Sequence, residues 1–144
     1  MGEACCQVSP TVQDAACPLN GRVGRRVDTL TLKAQLRGSL AVLRDVEYRF
    51  CPDATCPVVY YSVDGLQTFT ESDLRERVFQ KHPEEMEAFV CYCFRYTVGE
   101  VRHRGAAVVE AITQGVKAGQ CACDIRNPQG SCCLGNVRSL LQKS

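Results

Sequence analysis

Tyr48-Arg49-Phe50-Cys51-Pro52-Asp53-Ala54-Thr55-Cys56-Pro57-Val58-Val59-Tyr60-Tyr61 sets two short runs of aromatic and β-branched residues on either side of a C-x4-C spacing. Such residues favour short strands. Four residues between two cysteines form a knuckle that points both sulfurs at one ion. Zinc takes four ligands in a tetrahedron, and its thiolate bonds supply folding free energy that a thin core lacks. Downstream, Asp64-Gly65 predicts the turn of a hairpin. Thr70 to Arg75 predicts a helical turn capped by Thr70 or Ser72.

Upstream, Cys17-Pro18-Leu19-Asn20-Gly21 predicts a tight turn. A complete zinc ribbon needs a second cysteine pair. Cys17 is a candidate for one member, but Asn20 stands where a C-x-x-C would be completed. The fourth donor is left open between Cys5 or Cys6 folding back, a water, and an oxygen or nitrogen donor. Leu30, Leu32, Leu36, Leu40 and Leu43 mix periods of two and about four, which predicts a short strand leading into a helix. Residues 17–80 therefore read as a small β-rich, zinc-ribbon-like unit. Residues 1–16 are small and polar, carry the vicinal Cys5-Cys6 pair and lack hydrophobic periodicity, so they read as a flexible tail. Lys81 to Val90, charged and containing Pro83, reads as a linker.

The second unit, 91–144, reads as helical. Thr97-Val98-Gly99-Glu100 fits a capping box opening a helix that ends at Gly105. Ala107, Val108, Ala111, Ile112 and Val116 predict an amphipathic helix ending at Gly119. Asn127-Pro128-Gln129-Gly130 is a turn, and a last helix is expected from about Leu134 to Leu141. Cysteines bracket this hairpin: Cys91-Tyr92-Cys93 before it, and Cys121-Ala122-Cys123, Cys132 and Cys133 after it. Two thiolate pairs joined by a helical hairpin suit a [2Fe–2S] cluster, whose irons each take two. Helices expected to begin just after Cys93 and Cys133 would present unpaired N–H groups to the sulfurs.

The 144 residues suit one ordinary domain or two small ones, at roughly 100–200 residues per domain. Lys+Arg is 17 and Asp+Glu is 16, a net charge of +1, which argues against a nucleic-acid partner. Apolar runs fall well short of the roughly 20 residues needed to span a bilayer. The sequence opens without a basic, then apolar, export signal, and the expectation is a cytoplasmic protein with no membrane partner. The 11 cysteines, an odd and clustered set, then point to metal ligation rather than disulfides. Hydrolase, metalloprotease and P-loop motifs are missing, so no enzyme activity is expected.

Phe50 to Tyr61, Val90-Cys91-Tyr92-Cys93-Phe94, and the run from Cys121 through Asn127-Pro128-Gln129-Gly130-Ser131-Cys132-Cys133 to Gly135 resemble the N-terminal zinc and iron–sulfur domain of CopZ-type copper chaperones. The second half also resembles the small [2Fe–2S] domain of bacterioferritin-associated ferredoxin. Together the resemblance covers about 17–137. It implies a zinc site on Cys17, Cys51 and Cys56, with Asn20 in place of a family cysteine. It implies a [2Fe–2S] cluster on Cys91, Cys93, Cys123 and Cys133, with Cys121 and Cys132 as the first substitutes. It further implies one-electron transfer in copper trafficking, with copper-handling proteins or a redox partner. These residues contain no C-x-x-C, so direct copper(I) carriage by an M-x-C-x-x-C loop is not expected of them. The fold class expected is α+β, a zinc-ribbon-like β unit followed by a helical [2Fe–2S]-binding unit. Two rivals stand beside it: a zinc-only structural or sensory module, and a soft-metal thiol binder without a permanent cluster.

Overall fold

A computed structural model describes residues 15–143. Cys5, Cys6 and all but the last two residues of the expected tail lie outside them. Of those two, Ala15 is buried and Ala16 bridges to Val23.

The first half is a four-stranded antiparallel sheet in the order β1 (Arg25–Val27), β2 (Tyr48–Phe50), β3 (Val58–Ser62), β4 (Thr68–Thr70). Phe50 pairs with Arg25 on one side and Tyr60 on the other, which fixes the register on both sides of β2. All five residues of β3 are buried. Val59 and Tyr60 join Val27, Leu32, Leu36, Phe50 and Val78 in the larger core. Val58 and Tyr61 pack instead with Cys17, Cys51 and Cys56. The Tyr61 hydroxyl donates to the Ala15 carbonyl and accepts the Gly24 N–H, tying Ala15 to the residue just before β1.

The leucine run is helix first: α1 spans Thr29–Gln35, and only a 3-10 turn, Leu40–Val42, follows. The strand expected ahead of a helix is β1, formed by Arg25–Val27 before the leucines begin. The Asp64-Gly65 turn joins β3 to β4, with the Gly65 N–H donating to the Ser62 carbonyl at 2.8 Å. Thr70 opens a 3-10 turn, Glu71–Asp73, its N–H held by Asp73 Oδ2 at 2.8 Å.

The second half opens on a two-stranded ribbon, β5 (Phe89–Cys91) and β6 (Tyr96–Thr97). Four helices follow: α2 (Val98–Arg104), α3 (Ala106–Lys117), α4 (Cys123–Arg126) and α5 (Leu134–Lys143). Gly105, at φ 61°, takes the left-handed turn that separates α2 from α3. Val90, Val98, Val101, Val108, Ile112 and Val137 form the second core. The segment expected as a linker is well held: Ala88 is buried, its carbonyl accepts the Val98 N–H at 2.9 Å, and the Met86 carbonyl accepts that of Gly99 at 2.9 Å.

The halves dock through α1 and α4. A four-residue helix leaves its carbonyls without intrahelical partners. Thr31 Oγ1 donates to the Asp124 carbonyl at 2.6 Å, and Gln35 Nε2 to those of Ile125 and Arg126 at 3.2 Å each. Gly130, at φ 76°, lets the next turn approach: a Cβ there would stand 2.9 Å from Thr31 Oγ1. Among the described residues no helix is long and apolar enough to cross a membrane.

Candidate metal centres

The first centre is built on three turns. Cys17 starts the tight turn, its N–H donating to the Arg22 carbonyl at 2.7 Å and its carbonyl accepting the Gly21 N–H at 2.8 Å. Cys51 directly follows β2 and donates its N–H to the Val59 carbonyl at 2.8 Å. Between Cys51 and Cys56, Asp53 Oδ1 accepts the Thr55 N–H at 2.9 Å, and the Asp53 carbonyl accepts the Cys56 N–H at 3.1 Å. Lys81 Nζ closes this knuckle from outside, donating to the carbonyls of Asp53 (2.7 Å) and Cys56 (2.8 Å). The sulfurs of Cys17, Cys51 and Cys56 lie within 4.8 Å of one another and are buried. Among the described residues no fourth Cys, His, Asp or Glu joins them.

Asn20 lies beside Cys51. Its Nδ2 donates to Cys51 Sγ at 3.2 Å and approaches Asp53 Oδ2 at 3.5 Å, while its Oδ1 accepts the Arg22 N–H at 2.8 Å. Burial pushes the Cys51 thiol up, but hydrogen bonds from the Asp53 backbone and Asn20, together with nearby Lys81, outweigh it and bring it below the ordinary value. Burial raises the Cys56 thiol. The donor set fits zinc: a Zn–S bond of about 2.3 Å sets tetrahedral thiolates about 3.8 Å apart.

The second centre gathers four thiols from three places. Cys91 ends β5 and Cys93 lies in the turn before β6. Cys123 is the first residue of α4. Cys133 immediately precedes α5, and its carbonyl accepts the Val137 N–H at 3.0 Å. Cys93 Sγ and Cys123 Sγ are 3.7 Å apart. The Cys133 thiol is near enough to those of Cys91 and Cys123 for the three to shift one another's ionisation. Those contacts lower the Cys91 thiol to about 7 and the Cys123 thiol to about 6, while burial pushes Cys93 up to about 12 and the same two contacts drive Cys133 up. Among the described residues, no three of these four sulfurs all lie within 4.8 Å of one another. Cys121 is half-buried and Cys132 exposed.

One expectation is corrected. No helix begins just after Cys93, because β6 intervenes and α2 starts only at Val98. The N–H donated to Cys93 Sγ comes instead from Ala122, at 3.1 Å, just ahead of α4. Tyr92, between the first two cysteines, is buried, with its hydroxyl donating to the Arg77 carbonyl. The parts played by Lys81 and Ala122 had no sequence signal: one sits in a charged run, and the other acts only through its backbone.

Residues 14–75 match the zinc binding domain model of CopZ. The X-ray structure of the Archaeoglobus fulgidus CopZ N-terminal domain superposes with a TM-score of 0.66 at 30% identity, covering 87% of this chain and 96% of that one. The chain belongs to the family of CopZ N-terminal domains. The copper chaperone CopZ of the same organism is 31% identical over 128 residues, which is 86% of this chain. The chain spans 60% of that relative's length. The zinc-binding match covers the first centre and ends before the second begins.

Proposed function

We propose that this protein is a two-centre metal module that moves single electrons in copper trafficking. In this reading Cys17, Cys51 and Cys56 hold zinc and stabilise the β unit. Cys91, Cys93, Cys123 and Cys133 hold a [2Fe–2S] cluster, with Cys121 and Cys132 outside it. The chain is organised as a tail over 1–16, a zinc unit over 17–80, a joining segment over 81–90 and a cluster unit over 91–144. Its setting is the cytoplasm, and its partners are copper-handling proteins or a redox donor.

The observation that carries the reading is the contrast between the two cysteine groups. Three sulfurs of the first crowd within 4.8 Å, as one tetrahedral ion demands. The second group is more extended, with Cys93 Sγ and Cys123 Sγ 3.7 Å apart and the Cys133 thiol near those of both Cys91 and Cys123. Two thiolates per iron on a two-iron core suit that spread better than one zinc does. When bound, the cluster supplies one-electron exchange. The chain supplies an N–H from Ala122 to Cys93 Sγ and the positive end of α5 beside Cys133, both of which favour negative charge on sulfur.

Iron, sulfide and zinc counts on anaerobically purified protein test this, alongside Cys133→Ser and Cys132→Ser variants. The expected result is about two iron and two sulfide per chain, bleaching on dithionite, lost in Cys133→Ser and kept in Cys132→Ser. Colourless protein with zinc alone overturns the cluster.

A further inference from the structure

A tetrahedral zinc ion needs four donors, and among the described residues, which leave out Cys5 and Cys6, the first centre gathers three sulfurs. Asn20 lies beside Cys51, and its orientation is fixed by its own bonds. Oδ1 is used by the Arg22 N–H, so the Nδ2 hydrogens face Cys51 Sγ and Asp53 Oδ2. An amide N–H is a donor and cannot ligate a cation. Turning the amide over would cost the Arg22 bond, about 1 kcal/mol, and set its oxygen against a thiolate and a carboxylate. Asn20 is therefore oriented as a hydrogen-bond donor to a ligand sulfur and not as a ligand.

A cavity of about 300 Å³ opens to solvent at Cys51, one of the three sulfur residues, and is lined also by Arg22, Gly24 and Asp53 among others. That is ample against the roughly 30 Å³ of one water, and Arg22 and Asp53 give a bound solvent molecule polar partners. Zinc with three protein ligands and a fourth position in reach of solvent is the open arrangement, in contrast to the closed four-ligand structural site.

We propose that the zinc centre of this chain is open: three thiolates from Cys17, Cys51 and Cys56, and an exchangeable water in the fourth position, reached through the Arg22–Asp53 cavity. Asn20 is a positioning residue that steadies the Cys51 thiolate. The ligand class that displaces the water is a small monodentate donor, such as a free thiolate. This rests on the zinc reading above.

X-ray absorption at the zinc edge, on protein carrying one zinc per chain, reads the donors directly. The expected shell is three sulfurs and one oxygen or nitrogen in the natural sequence, and four sulfurs in Asn20→Cys. Zinc transfer to the chelator 4-(2-pyridylazo)resorcinol is expected to slow about tenfold or more in Asn20→Cys, the lower end of what changes beside metal ligands produce. Asn20→Ala keeps all three sulfurs and is expected to keep the 3:1 shell. Loss of the light-atom donor in that variant overturns the proposal by making Asn20 itself a ligand. A four-sulfur shell in the natural sequence overturns the open position alone. Protein that binds no zinc, or whose zinc survives Cys51→Ser, overturns the zinc reading and the open position together.

Discussion

Asp64 shows how much one side chain can organise. It accepts both arms of Arg44, at 3.0 and 3.1 Å, the Ser62 hydroxyl at 2.7 Å and the Leu66 N–H at 3.0 Å. Arg44 first, then Ser62 and the Leu66 amide, hold its carboxyl well below the usual carboxylate range. A lowered folded pKa contributes stability above the unfolded value of about 3.9, which is lost as pH falls below it and through the folded value. Asp64→Asn is expected to lower Tm at pH 7, with the gap to the natural sequence closing in acid. Thermal melts across pH 2–7 check this. The sequence marked Asp64 only as the first residue of a turn, because Arg44 lies 20 residues away and nothing local pairs them. Asn20 was legible as the position lacking a cysteine. Which way its amide points depends on Arg22 N–H and Cys51 Sγ, a question only the folded chain answers.

At the scale of elements, the helix signals were the most readable. Thr97 Oγ1 accepts the Glu100 N–H at 3.2 Å while Glu100 Oε1 accepts the Thr97 N–H at 2.9 Å, so the capping box seen in sequence opens α2. Thr97→Ala is expected to cost about 1 kcal/mol in denaturant unfolding, and Thr97→Ser close to nothing. The end of α2 at Gly105 and the last helix were equally plain, because caps are local chemistry. The ribbon of β5 and β6 and the single turn of α4 were not. Strands of two or three residues show no periodicity, and a four-residue helix is too short to stand on propensity. α4 exists because α1 receives its carbonyls.

Across the whole molecule, that α1–α4 seam joins the two halves. Thr31 is fully buried, and its hydroxyl satisfies the Asp124 carbonyl, one residue from Cys123. Thr31→Val keeps the shape and strands that carbonyl, at an expected cost of about 1–3 kcal/mol. Limited proteolysis is expected to cut between Cys121 and Gly130 sooner in that variant, and unchanged cutting would show that the seam does not hold α4. Lys81 makes a second tie, running from the segment between the halves to the carbonyls of the Cys51–Cys56 knuckle. The α+β class and the grouping of cysteines could be read from spacing, because thiolate pairs and short strands are regional features. The seam could not, since Thr31, Gln35 and Gly130 are ordinary residues until α4 arrives beside them.

Tyrosine placement has an optical consequence. The chain has no Trp, so its ultraviolet emission is that of five tyrosines, and Tyr48, Tyr60, Tyr61 and Tyr92 are buried. Tyr61 packs with Cys17, Cys51 and Cys56, whereas Tyr92, between Cys91 and Cys93 in sequence, turns its hydroxyl to the Arg77 carbonyl and the Phe79 N–H. The first centre thus has a resident phenol fluorophore. Comparing the emission of the natural sequence with that of Tyr61→Phe would isolate the one tyrosine that reports on the state of Cys17, Cys51 and Cys56.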